Sequence, residues 1–258
     1  MLLIVLGGLL LLFIIGPLAG LFLKSSVPEI FETVAEAKVK DSIIRTLFIS
    51  FVTTFIFAIL AIPLSYILAR KDFFGKNFIN SLIDLPVIIP HTAAGIALLG
   101  VISRDTILGK LAESAGIQFV NNAAGIGLAM AFVSVPFLIN AARDGFINVP
   151  KRYEYAALNM GASPARVFIS ISLPLAWRHI VSGFILMFGR GMSEFGAVVI
   201  IAYHPMIAPV LIFERFTQFG LAYARPVAVL FILICFIFFI LLRFLSFHTK
   251  SKEDVENR

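Results

Sequence analysis

A charge-free run, Met1 to Leu23, opens the chain, and five more apolar stretches follow: Thr46 to Ala69, Phe78 to Ser103, Ala123 to Ala142, Ile180 to Tyr203 and Pro226 to Ser246. About 20 apolar residues wound as a helix cross the hydrocarbon core of a bilayer. The pattern therefore predicts an all-α membrane protein of six transmembrane helices, the third interrupted by Asp84, Pro86, Pro90 and His91. The first run lacks a basic leading region and a small-x-small cleavage site, which predicts a span rather than a removed leader. Composition agrees: 60% of the residues are hydrophobic and 14% charged, against roughly 25% charged in a soluble domain. No polar stretch is long enough to build such a domain. The single cysteine, Cys235, lies in an apolar run, which excludes an intrachain disulfide and a thiolate metal cluster.

Six spans put both termini on one side. With the termini inside, the inner segments carry 12 Lys and Arg and the outer ones 8, and the longest outer loop also holds Glu29, Glu32, Glu36 and Asp41. The positive-inside rule then gives a multi-pass protein of the cell membrane with both termini cytoplasmic. It also accounts for the net charge of +6 without nucleic acid. The expected segments are an N-terminal helix at 1–23, an external loop at 24–45, a five-helix core at 46–246 and a cytoplasmic tail at 247–258.

Between the fourth and fifth spans lies a cytoplasmic island rich in polar and small residues, from Glu154 to Pro174. Pro150 suits the first turn of a helix, and Gly161 readily takes the left-handed conformation that ends one. A short helix is thus expected over Lys151 to Met160. Ser163 can cap a second helix, with Pro164 at its first position, running towards Ile171 and meeting Pro174 near the membrane. On the short helix Glu154, Ala157 and Leu158 share a face, and Ala156 and Ala157 let another surface approach closely.

The island resembles the cytoplasmic loop of permease subunits in importers of the ATP-binding-cassette class. That family's Glu-Ala-Ala, three residues, Gly, nine residues, Ile-x-Leu-Pro pattern matches Ala156, Ala157, Gly161, Ile171, Leu173 and Pro174. The resemblance implies a homodimeric permease whose coupling helix, within residues 149–174, docks on an ATPase subunit through Glu154, Tyr155, Ala156, Ala157, Leu158 and Gly161. The family's Glu position is Tyr155 here, and Glu154 stands one residue earlier, a rotation of about 100° on a helix. Which of the two meets the partner stays open.

The fifth span carries the second charged element, Phe188-Gly-Arg-Gly-Met-Ser-Glu-Phe-Gly-Ala197. Arg190 and Glu194, four apart, can pair on one helix face. Charge inside a bilayer is costly, so both should face the bundle interior or water. They form a pathway or gate element with Phe195 and Gly196, or a structural ion pair, and the two readings can coexist. Arg-x-x-x-Glu-Phe-Gly-Ala is similar to the fifth-span signature of molybdate, tungstate and sulfate permeases. Residues 203–212 and 220–228 look most like the archaeal molybdate/tungstate branch, and Asp84 to His91 with Gly95 matches the broader oxyanion-permease pattern. Asp84 caps a broken helix, faces the pathway or meets a cytoplasmic partner; the sequence does not choose. His91 has no second His or Cys at ligand spacing, so a polar packing residue beside the prolines is expected.

The sequence holds no Gly-x4-Gly-Lys-Ser/Thr loop for nucleotide phosphates, no nucleophile elbow and no zinc motif. No catalytic residue, metal ligand or cofactor is therefore expected in this chain; ATP and Mg fall to the partner. The resemblance implies a second copy of the chain, two ATP-binding subunits and an external oxyanion-binding protein as partners in the bilayer, importing molybdate or tungstate. Sulfate or thiosulfate is the alternative cargo. A stand-alone secondary transporter using Arg190, Glu194 and Asp84 is the alternative mechanism, although no internal repeat supports it.

Overall fold

The computed structural model describes residues 1–256, without the side chains of Leu2, Arg243 and 245–256, and contains no strand among them. Thirteen helices follow in order: α1 (Leu2–Leu23), α2 (Val27–Ala35), α3 (Ala37–Arg70), α4 (Lys76–Ile88), α5 (His91–Ile102), α6 (Ile107–Ser114), α7 (Ala123–Asn148), α8 (Lys151–Asn159), α9 (Pro164–Val167), α10 (Leu173–Met192), α11 (Gly196–Ile201), α12 (Ala208–Phe219) and α13 (Leu221–Glu256). A π-helical turn, Phe168–Ser172, joins α9 to α10.

Among the described residues, five helical stretches are long and apolar enough to cross a membrane: Leu3–Leu23, Ala37–Arg70, Ala123–Asn148, Pro164–Met192 and Leu221–Leu242. The sixth crossing, if it is one, is the pair α4 and α5, bent by 114°. Pro90 lies in this bend and cannot continue an α-helical ladder, so the expected third span is two helices. The expected second span starts earlier, at Ala37, so that 24–45 holds α2 and the first turns of α3. The fifth runs from Pro164 to Met192 instead of from Ile180 to Tyr203. Its start escapes a hydropathy reading because Arg166, Trp177 and Arg178 dilute the apolar pattern. The expected tail continues α13 as far as Glu256, and residues 257 and 258 lie outside the described residues.

The chain divides into two compact units, one of residues 1–45 and 206–237, the other of 46–205 and 238–258. In the first unit, Ser26 and Glu29 form a reciprocal capping box that starts α2. Ion pairs join Lys38 to Glu214 and Arg215 to Glu36, and Arg45 donates to the Met206 carbonyl. No part of the apolar stretch of α1 is buried within the chain.

In the second unit the core packs residues of α3, α7 and α10: Ala58, Ala61, Leu68, Ala131, Leu138 and Met187. Its small residues let helices approach where lipid supplies no hydrophobic drive. Hydroxyls add links that need no charge: Ser65 Oγ donates to the Ile139 carbonyl (3.0 Å) and Ser50 Oγ to that of Phe188 (2.9 Å). Towards the α8 end, Phe146, Val149, Ala176 and Ile180 form a second cluster, flanked by Tyr66 and Phe168.

Candidate functional site

Two charged centres lie in the second unit. The first is built around α8. Asn159 ends the helix and Gly161 reverses the chain at φ +87°. There the Gly161 amide donates to the Leu158 carbonyl (2.9 Å) and the Ala162 amide to that of Ala157 (3.0 Å). These paired bonds satisfy the last carbonyls of the helix and need a residue that tolerates the left-handed region. Ser163 Oγ then accepts from the Arg166 amide and caps α9, as the sequence predicts.

The face shared by Glu154 and Ala157 turns inward, both being buried. Arg70 Nε, at the end of α3, donates to both Glu154 oxygens at 2.8 and 2.9 Å, and its Nη2 donates to the Val149 carbonyl at 2.9 Å. Ser172 Oγ adds a 2.6 Å bond to the same carboxylate. A buried carboxylate is tolerated when it is paired and hydrogen-bonded in this way. Tyr155, Ala156 and Leu158 remain exposed. Beside them an open groove of about 520 Å³ is lined by Tyr153, Ala156, Ala157, Met160, Ile171 and Pro174, among others. The sequence reading missed Arg70 and Ser172; a buried acid in a short connecting helix requires a cation, and a basic residue closing a long apolar helix is where to look.

The π-helical turn explains why Pro174 does not stop the fifth span. Proline lacks an N–H and crowds the carbonyl four residues back. Widening the preceding turn, where the Leu173 amide reaches the Phe168 carbonyl, accommodates it, so helix continues through to Met192.

The second centre lies where two helices are interrupted. Arg190 is in the last turn of α10, but Glu194 lies beyond its end, in the Ser193–Phe195 break before α11. The expected pair forms, with Arg190 Nη2 2.9 Å from Glu194 Oε2, across a helix end instead of along a face. Glu194 is fully buried, and its Oε1 accepts from the Ala197 amide (2.8 Å), satisfying one of the free donors that start α11. His91, expected as a packing residue, belongs to this group: its Nδ1 is 3.0 Å from Glu194 Oε2 and 2.8 Å from Arg190 Nη2. It stands first in α5, directly after the other helix break. Gly196 makes the approach possible, because a β-carbon there would lie 2.8 Å from the Cβ of His91. Phe195 is half-buried in the break. Interrupted backbone of this kind is tolerated at membrane depth only against protein or a water-filled path.

Asp84 sits on α4 and caps neither half of the broken pair: Gly75 precedes α4 and Pro90 precedes α5. It accepts from Asn140 Nδ2 at 2.6 Å, while one turn earlier Asn80 accepts from Arg143 at 3.0 Å. These two bonds fasten α4 to α7. Asp84, Asn140 and Asp144 also line a groove of about 470 Å³. No group of three or more potential metal ligands occurs among the described residues.

Residues 61–251 match the family of binding-protein-dependent transport system inner membrane components. The chain is 43% identical, over 93% of its own length and 92% of the relative's, to a molybdate/tungstate transport system permease protein of Pyrococcus furiosus. It is 33% identical, over 74% of its length and 68% of the relative's, to a probable sulfate transport system permease protein of Chlorokybus atmophyticus. In fold it is similar to a bacterial ABC transporter involved in alginate import, with a TM-score of 0.73 at 14% identity over 94% of this chain and 93% of that one.

Proposed function

The chain belongs to the binding-protein-dependent transport system inner membrane components, and we propose that the cargo it passes is a tetrahedral oxyanion, molybdate or tungstate. It is a permease subunit of an ATP-driven importer and is not an enzyme. The reading of the cargo rests on one observation: identity is 43% to the molybdate/tungstate permease and 33% to the sulfate permease. Sulfate or thiosulfate is the second reading, favoured by that weaker match.

Membership in this family implies an ATPase and an external binding protein as partners. Two copies of the chain form the path about a two-fold axis, with two ATP-binding subunits beneath and one binding protein above. Both termini and α8 face the cytoplasm, which the excess of basic residues in the inner segments supports. Residues 1–23 form the first crossing, 24–45 the external segment, 46–246 the permease core and 247–258 the cytoplasmic tail. ATP and its magnesium are held by the partner.

The α8 helix meets the ATPase through Tyr155, Ala156, Leu158 and the turn at Gly161. Glu154 and Ala157 hold the helix from within, and the exposure of Tyr155 beside a buried Glu154 supports this division. Arg190, Glu194, Phe195 and Gly196 line the path where α10 is interrupted, with Asp84 beside it on α4. Because Arg190 is already matched by Glu194, the anion meets a balanced site from which it can leave, and nucleotide binding shifts the population between outward- and inward-open states.

ATP hydrolysis by the assembled transporter in vesicles, measured with binding protein loaded with molybdate, tungstate or sulfate, tests the cargo. Stimulation by molybdate- or tungstate-loaded protein is expected. Stimulation by the sulfate-loaded form alone would replace this reading with the second.

A further inference from the structure

Covalent connection gives α8 two ways to pass on a push. One leads through Val149 and Pro150 to α7, the other through the Gly161–Ser163 turn to α9 and α10. No short chain connection leads to α3, whose last residue stands 84 positions before Glu154. Yet the end of α3 is bound to α8 more closely than a surface ion pair would bind it. The Arg70 and Glu154 side chains are 9% and 8% exposed. The guanidinium also lies 5.9 Å from the Tyr66 ring, which packs on Phe146 and Phe168. Separating such a pair leaves a buried charge without its partner, which is strongly unfavourable.

We propose that Arg70 is the positioning residue through which movement of α8 is passed to α3, in step with α10. The carboxylate of Glu154 is the shared point, held by Arg70 from α3 and by Ser172 from the π-helical turn that leads into α10. Beyond this joint α3 and α10 both line an apolar groove of about 570 Å³ through Phe55, Ile62, Trp177 and Phe184, and Phe51 packs edge-on against Phe184 and Phe188. Ser50 is 20 residues from Arg70, roughly 30 Å along a helix, and there its hydroxyl is bonded to the Phe188 carbonyl. Phe188 lies two residues before Arg190. The two helices are thus fastened at both ends, at the α8 joint and beside the Arg190–Glu194–His91 centre. Displacement of α8 tilts them together, so that α10 does not slide past α3. Loss of the Arg70 link leaves α10 driven and α3 behind, which misaligns the charged centre while the docking surface of α8 stays in place.

This inference rests on α8 being the ATPase docking helix, and the experiment separates the two ideas. The full transporter is purified with Arg70→Gln, Arg70→Lys or Ser172→Ala, alongside Tyr155→Ala. Retention of the ATPase subunit and anions imported per ATP hydrolysed are then measured in vesicles. Arg70→Gln is expected to retain the ATPase subunit while anions imported per ATP fall about five- to tenfold, the lower range of coupling between sites. Ser172→Ala should give a smaller fall, and Arg70→Lys should recover part of the loss. A purely structural role would lower assembled complex and leave the ratio in surviving complexes unchanged; that result overturns the proposal. If Arg70→Gln does not assemble, unchanged ratios in Arg70→Lys and Ser172→Ala overturn it equally. Full ATPase retention and normal import in Tyr155→Ala would count against the docking reading itself.

Discussion

A carboxylate taken out of water must be met by a cation or by donors, and Glu154 and Glu194 are met for different ends. Around Glu154 every partner fixes position: a guanidinium on both oxygens and a serine hydroxyl. Around Glu194 a backbone amide holds one oxygen, while Arg190 and His91 meet at the other. Replacing Glu194 by Gln keeps the shape and removes the charge that balances Arg190. Breaking a buried pair costs about 3–5 kcal/mol, here in part recovered through the retained amide contact. Import per inserted molecule should fall at least about tenfold, a change of about 1.4 kcal/mol, with membrane insertion little altered; equal losses of both would reduce the pair to a structural tie. The Arg190–Glu194 pairing was legible at four-residue spacing. His91 was not, because its partners lie about 100 positions away and are reached only when two helix interruptions meet. Arg70 was hidden for the same reason, since spacing along the chain carries no sign of a contact made 84 positions on.

Among the elements, α8 depends most on its end. Its closing turn needs Gly161 at φ +87° with open space around it, so a valine there would be strained by backbone alone, by about 1–2 kcal/mol. Gly161→Val should leave the permease inserted but reduce retention of the ATPase subunit on purification, and normal retention with normal import would refute a role for this turn in docking. The short helix, its glycine stop and the Ser163–Pro164 restart were readable because capping chemistry is local. So were the crossings at α1, α3, α7 and α13, where hydropathy is high and uninterrupted. The fifth crossing was misplaced because its first half is amphipathic and its proline is absorbed by a π-helical turn. Prolines marked the third as interrupted, but the 114° bend depends on packing that no window of sequence contains.

For the molecule as a whole, orientation can be tested with the protein's one cysteine removed. In a Cys235→Ser background, Asp72→Cys between α3 and α4, a 91% exposed position, should react with a membrane-impermeant thiol reagent only after cells are opened, and Ile107→Cys on α6 should react in intact cells. The reverse pattern would invert the topology. The matched charges of Arg190 and Glu194 also bear on the energy source. Moving one elementary charge across a membrane involves about 2.3 kcal/mol per 100 mV, and an oxyanion of two charges entering a negative interior meets that work twice over. On the proposed reading, a path lined by this compensated pair contributes no net attraction to offset it, so the voltage that would draw a cation inward opposes the oxyanion throughout. The electrical work has to be supplied from outside the path, by nucleotide turnover on the partner subunit.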